Sequence, residues 1–287
     1  MSAIYKKELK SYYTSMIGYI VAALTLVAVG IYFYAYNLLS LSPFIGYALS
    51  GASITLLIVV PILTMRSLAE EQRSKTDQLL LTAPVSIGKI VMGKFLAMVS
   101  VILFPVVIIC FYPLALALFG KVPFLSSYSV IFGFLLLYAA AIAVGMFISS
   151  ITESQIIAAV VSFGVLFLSF LMGGISGMVS DTAKTSLIAF TVLIIALVFM
   201  IYGMTKNVVV PVVVGLAGEG VLIAVYVLKS AWLAGAINKV LNSLDIMSRF
   251  NTFVNGTLDL GAVLYYLSVI GLFCFLTYQS IEKRRWS

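Results

Sequence analysis

Long apolar runs alternate with short polar joints along the chain. Eight runs stand out, over residues 16–37, 45–65, 95–119, 128–150, 155–178, 186–204, 207–228 and 261–281. Each is close to the roughly 20 residues a helix needs to cross a bilayer. The pattern predicts an all-α, polytopic transmembrane domain of eight spans, six plus a helical hairpin. The hairpin is the pair 186–204 and 207–228, joined only by Thr205, Lys206 and Asn207. As a re-entrant pair it would lower the count to six and leave both ends on one side. The first run exceeds a signal-peptide core and no small-residue cleavage pattern follows it, so it is expected to be retained. No repeat and no Ser- or Gly-rich linker divides the chain, which reads as one domain over 1–287.

Three stretches break the pattern. Residues 1–15 are expected to form an interfacial amphipathic helix, with Tyr5, Leu9, Tyr12, Tyr13 and Met16 on one face and Lys6, Lys7 and Lys10 opposite. In 66–94, Ser67 and Glu70 have capping-box spacing. Glu71 with Lys75, and Arg73 with Asp77, are i,i+4 ion pairs that would support a short exposed helix. Pro84 would end that helix and Ser86 could cap another leading into the next span. A solvated loop helix accounts for the charges; the apolar end Leu79, Leu80 and Leu81 points as well to a docking surface. In 229–260, Trp232, Leu233, Ile237, Val240, Leu241 and Leu244 recur at helical spacing, which predicts an amphipathic helix on the outer membrane face.

Composition narrows the class. Of 287 residues 63% are hydrophobic, 9% are charged and none is histidine, against about 25% charged in a soluble domain. A soluble enzyme or a nucleic-acid binder is excluded for the chain as a whole. The net charge of +7 acquires meaning from position. With the N-terminus inside, the inner segments hold Lys6, Lys7, Lys10, Arg66, Arg73, Lys75, Lys89, Lys94, Lys206, Lys283, Arg284 and Arg285. The outer ones hold only Lys121, Lys184, Lys229, Lys239 and Arg249. This bias predicts that both termini are cytoplasmic.

Catalytic machinery is missing. Gly88-Lys89 and Gly93-Lys94 lack the upstream glycine and the following Ser or Thr of a phosphate loop. The lack of histidine excludes Ser–His and Cys–His nucleophilic catalysis, and Asp181, Asp245 and Asp259 all fall in outer segments. No catalytic, metal or cofactor site is expected. Glu219 is the mid-membrane exception, flanked by Gly215, Gly218 and Gly220. It reads either as a polar point on a substrate or proton path or as a hydrogen-bonded packing contact between close helices. The small-residue pairs Ala141/Gly145 and Gly173/Gly177 suit close packing, within the subunit or at a dimer seam.

Several motifs carry a resemblance. Leu68-Ala-Glu-Glu-x-Arg73 is followed by Thr76-x-x-Leu-Leu-Leu-Thr82-x-Pro84-Val85 and by Gly93-Lys94-Phe95-Leu96-Ala97. Ser149-Ser150-Ile151-Thr152-Glu153-x-Gln155 forms an inner turn. Near the end stand Phe250-Asn-x-Phe-x-x-Gly256-x-x-Asp259, Tyr265-Tyr266-Leu267-Ser268 and Arg284-Arg285-Trp286. Together these resemble the ABC transporter type-2 (ABC-2) permease family, most closely its gliding-motility and nitrous-oxide-reductase-maturation type. The resemblance implies a permease subunit of an ATP-driven bacterial exporter in the plasma membrane, not itself an enzyme. ATP and magnesium would be bound by a separate ATP-binding subunit. It implies a coupling helix in 66–83 whose contacts to that subunit are Glu70, Glu71, Arg73, Thr76, Asp77, Leu79 and Leu80, with Glu153 and Gln155 as a second inner contact. It further implies pairing with a second permease copy or paralogue, an extracytoplasmic accessory protein, and an outer element near the substrate exit. The alternative, a secondary transporter or channel without an ATPase partner, calls for broken helices or several mid-membrane charges, and only Glu219 qualifies.

Overall fold

A hydrocarbon solvent leaves the backbone no hydrogen-bond partner but itself, so apolar runs of this length fold as helices. The computed structural model describes residues 2–76, 85–205 and 209–286. Its helices in chain order begin with α1 (Ser2–Thr14), α2 (Ile17–Phe33), α3 (Gly46–Ala52), α4 (Leu56–Thr64) and α5 (Ala69–Arg73). They continue with α6 (Ile87–Ile109), α7 (Tyr112–Ala117), α8 (Phe124–Ile151), α9 (Gln155–Met178) and α10 (Ala183–Thr205). The last are α11 (Val209–Leu228), α12 (Ser230–Leu233), α13 (Ala236–Leu244), α14 (Phe250–Val254) and α15 (Leu260–Trp286). No strand occurs among the described residues. Among the described residues eight helical stretches are long and apolar enough to cross a membrane, and they match the eight predicted runs, both members of the 186–228 pair included.

The helices group into two compact units, Met1–Leu168 with Ile246–Ser287, and Ser169–Asp245. In the first unit α8 is the most enclosed helix, packed by α15, α6, α4 and α14. Two glycines on α8 set how closely its neighbours approach. Gly133 leaves room for the Phe253 ring, and Gly145 lies against Thr64 on α4. Phe134, Tyr138 and Phe250 fill the core between them, with ring centroids 4.7 Å (Phe134–Tyr138) and 6.1 Å (Phe134–Phe250) apart. The Ala141/Gly145 face therefore belongs to the subunit's own interior.

In the second unit α10 and α11 form an antiparallel pair, and Gly215 and Gly218 let α11 approach Val198 and Ile194 on α10. The expected continuous outer helix is not observed. Gly235 adopts φ 69° and divides it into α12 and α13. A side chain there would be strained, and its Cβ would also press on the Asp181 carboxylate. The break leaves Trp232 70% exposed while Leu233 and Ile237 are buried. Asn238 fastens α13 by donating to the Val179 carbonyl at 3.0 Å and to Asp181 Oδ1 at 2.5 Å.

The N-terminal stripe also needs correction. Helix α1 ends at Thr14, and Met16 sits in the left-handed region (φ 62°), 70% exposed, outside the stripe. The other side of α1 carries Lys6, Lys7 and Lys10 to the surface, as expected. Its inner face packs on α6. Ile4 meets Gly93, the Tyr5 and Ser100 hydroxyls lie 2.9 Å apart, and Tyr12 donates to the Leu63 carbonyl at 3.3 Å.

Candidate functional site

The candidate site is the polar end of the first unit, where α1, α5, the start of α6 and the end of α8 converge. Helix α5 is one and a half turns long, too short to hold itself in water, so its anchors matter. The anticipated Ser67 cap is absent: the Ser67 hydroxyl is buried without a hydrogen-bond partner, and the helix starts at Ala69. Ser149, from the far end of α8, takes that role. Its Oγ accepts from the backbone N–H of Leu68 at 3.2 Å and of Ala69 at 3.1 Å. Gln72 adds a bond from Nε2 to the Ser150 carbonyl at 2.9 Å. Replacing Ser149 by Ala should therefore cost about 1 kcal/mol, the usual worth of an N-cap. It should also raise hydrogen exchange in 68–73; unchanged protection there would show that the cap carries no weight. Ser86 likewise supplies no side-chain cap, and it opens α6 directly with no separate short helix.

Beneath α5 lies a buried ion cluster. Helix α6 begins eight residues before the apolar run, so Lys94 sits within it and not at its edge, 1% exposed. An ammonium has three donors, and three acceptors surround this one: Glu71 Oε1 at 2.9 Å, Glu8 Oε1 at 3.1 Å and the Ser67 carbonyl at 2.8 Å. Lys7 approaches the same Glu71 oxygen at 3.9 Å from the surface. The cluster thus joins α1, α5 and α6 through one buried cation. Arg66 and Glu70 form a separate i,i+4 pair at its margin. A cavity of about 410 Å³ opens beside these groups, lined by Lys7, Ser11, Arg66, Ser67, Glu70 and Thr76 among others. Burial, reinforced by the Glu8 charge, raises the pKa of the Tyr12 phenol well above its ordinary range, so it stays a hydrogen-bond donor.

The predicted contact residues divide into four groups. Arg73, at the end of α5, and Thr76, three residues beyond it, are exposed, and Glu70 is half-buried. Glu71 turns inward to Lys94, so the expected Glu71–Lys75 pair gives way to a longer-range one; Lys75 itself is exposed at φ 56°. Asp77, Leu79 and Leu80 lie outside the described residues, and with them the Arg73–Asp77 pair. Glu153 is exposed and Gln155 half-buried, in and just after the turn that follows α8. Since α5 is bonded to Ser149 and Ser150, the two predicted segments share one end of the unit. Glu219 belongs to the second unit, where Thr191 Oγ1 on α10 donates to its Oε2 at 3.2 Å. Glu8 and the structural role of Lys94 do not stand out in the hydropathy pattern. A lysine in helical register with the apolar positions that follow it, and one acid among three lysines, were the available signals.

A family model described as ABC-2 family transporter protein matches residues 39–232, more than half of the chain. The chain belongs to this family. The matched residues of this ABC-2 protein include α5, Lys94, the Ser149 turn and the α10–α11 pair; α1 and α15 lie outside them. A search of curated proteins found no match to the chain. With its eight apolar helices the protein is an integral membrane protein, and membership of the family implies an ABC ATP-binding partner in general terms.

Proposed function

We propose that this ABC-2 protein is the permease subunit of an ATP-driven bacterial exporter of the gliding-motility and nitrous-oxide-reductase-maturation type. It would sit in the plasma membrane with both termini cytoplasmic, paired with a second copy or paralogue, and open to an extracytoplasmic accessory protein. ATP and magnesium would be held by the separate ATP-binding subunit, which docks on α5. One observation carries the reading. A short helix is fastened both at its start and near its end to the last turn of α8, while Arg73, Thr76 and, beyond α8, Glu153 are left exposed and Glu70 half-buried. A fastened helix with a charged rim can pass a rigid-body movement of a partner directly into α8. Asp77, Leu79, Leu80 and Gln155 would complete the contact. Glu71 would act from beneath, by holding α5 to Lys94.

Purification from the native host in mild detergent tests this. The reading expects a stoichiometric partner with a phosphate loop and vanadate-sensitive ATP hydrolysis; a chain that emerges alone and inactive would defeat it. Arg73→Glu should lower partner recovery on the order of tenfold, equivalent to about 1.4 kcal/mol, the scale of an interface arginine. Glu219 is assigned a packing role, because it bonds to Thr191 between helices brought close by Gly215 and Gly218. Glu219→Leu should leave transport intact while loosening the α10–α11 pair by roughly 1 kcal/mol. Lost transport with normal expression would put the carboxylate on the substrate path.

A further inference from the structure

A second polar feature lies at the same end of the first unit, on α8 and α15. Leu276, Gln279, Ser280, Lys283 and Arg284 recur at helical spacing along one face of α15. Phe147, Ser150 and Ile151 do the same on α8. The two faces meet in an open groove of about 690 Å³. Both helices run toward this end, and the Ser280 hydroxyl donates to the Ser150 carbonyl at 3.2 Å, so the lining can be read by depth. Phe147 and Leu276 form the apolar floor, beside the Phe147–Phe273 ring contact at 5.8 Å. Ser150, Gln279 and Ser280 form a polar middle, and Lys283 and Arg284 a cationic rim. Among the described residues that line the groove none is a carboxylate, and Glu282 on α15 accepts from Tyr278.

We propose that this groove holds the headgroup and glycerol backbone of an anionic phospholipid. The order of its lining, apolar then hydrogen-bonding then cationic, follows the order of acyl chain, ester and phosphate in such a lipid. Its volume lies in the range of small-molecule sites, and basic pockets between span ends suit anionic headgroups. Helix C-termini present the negative end of the helix dipole, so an anion here depends on the two basic side chains. The site also abuts α5, because the Ser150 carbonyl at its wall accepts from Gln72 as well. Lipid occupancy therefore bears on the anchor of α5, and the binding itself requires no ATP-binding subunit.

Native mass spectrometry of the purified chain, delipidated and then offered dioleoyl phosphatidylglycerol or dioleoyl phosphatidylcholine, tests this. Wild type should retain the anionic lipid on the order of tenfold more than the zwitterionic one. That preference should fall to near unity in Lys283→Gln/Arg284→Gln and by an intermediate amount in either single variant. Arg285→Gln, which removes the same charge without lining the groove, should keep the preference. An equal loss in Arg285→Gln would assign the effect to diffuse surface charge and overturn the proposal. So would an undiminished preference in the double variant, or displacement of the lipid by glycerol 3-phosphate at matching concentration, which would mark a site for free phosphate.

Discussion

Lys94→Met is expected to be the most damaging single change in the first unit, lowering stability by about 3–5 kcal/mol. The ammonium holds three acceptors, and its removal leaves Glu8 and Glu71 facing one another without a counter-charge. A buried pair contributes little net stability when compared with a hydrophobic replacement of the whole cluster, yet breaking it from one side strands the other charges. Lys94→Arg should fare little better, because the planar guanidinium cannot replace a compact ammonium at a site this enclosed. The triple change Lys94→Met, Glu8→Gln, Glu71→Gln removes every stranded charge and should recover most of the loss. Thermal midpoints from size-exclusion in detergent decide the matter. A single Lys94→Met variant as stable as wild type, or a triple variant no better than the single, would show that the cluster is not the clamp described above. Because the clamp joins α1 to α5, the docking proposed on α5 predicts that the damaged variant also recovers less of an ATP-binding subunit than its stability alone explains.

The parts of this fold that were legible in the sequence are those set by solvent. Apolar length alone locates all eight helices, since a bilayer imposes it on every span. What the sequence concealed are pairings between segments far apart in the chain. Ser67 has the spacing of a cap, but Ser149 caps α5, and nothing local to residues 66–76 could reveal a hydroxyl arriving from α8. Glu71 has a lysine four residues on, yet Lys94 is already buried beneath it and wins the contact. Lys94 itself read as a flanking cytoplasmic charge because the apolar run begins at Phe95, whereas the helix begins at Ile87. Polar residues can extend a helix past its apolar stretch, and there the hydropathy pattern no longer marks its end. Gly235 misled for the opposite reason: its neighbours keep helical spacing across a residue whose φ of 69° ends the helix.

Gly145→Ala should be the second large effect, and it tests the packing of α8 on α4. An added Cβ would come within 2.4 Å of Thr64 Oγ1 and 3.0 Å of its Cβ and Cγ2. Thr64 has little freedom to yield, being fully buried with its hydroxyl donating to the Val60 carbonyl at 2.9 Å. Overpacking of this kind costs about 1–3 kcal/mol, and a larger side chain such as leucine should exceed that and reduce folded yield. The remedy follows from the geometry. Thr64→Ala removes Oγ1 and Cγ2, the atoms most in the way, so Gly145→Ala/Thr64→Ala should be more stable than Gly145→Ala alone. The two sites should thus couple by about 0.5–3 kcal/mol in a double-mutant cycle. Strict additivity would mean that α4 moves aside freely, and would remove the rigid α4–α8 contact from any path by which α5 moves the core. A coupled result would show that α8 is locked to α4 at Gly145, four residues before Ser149, so that the movement proposed to enter at Ser149 would carry α8 as a body.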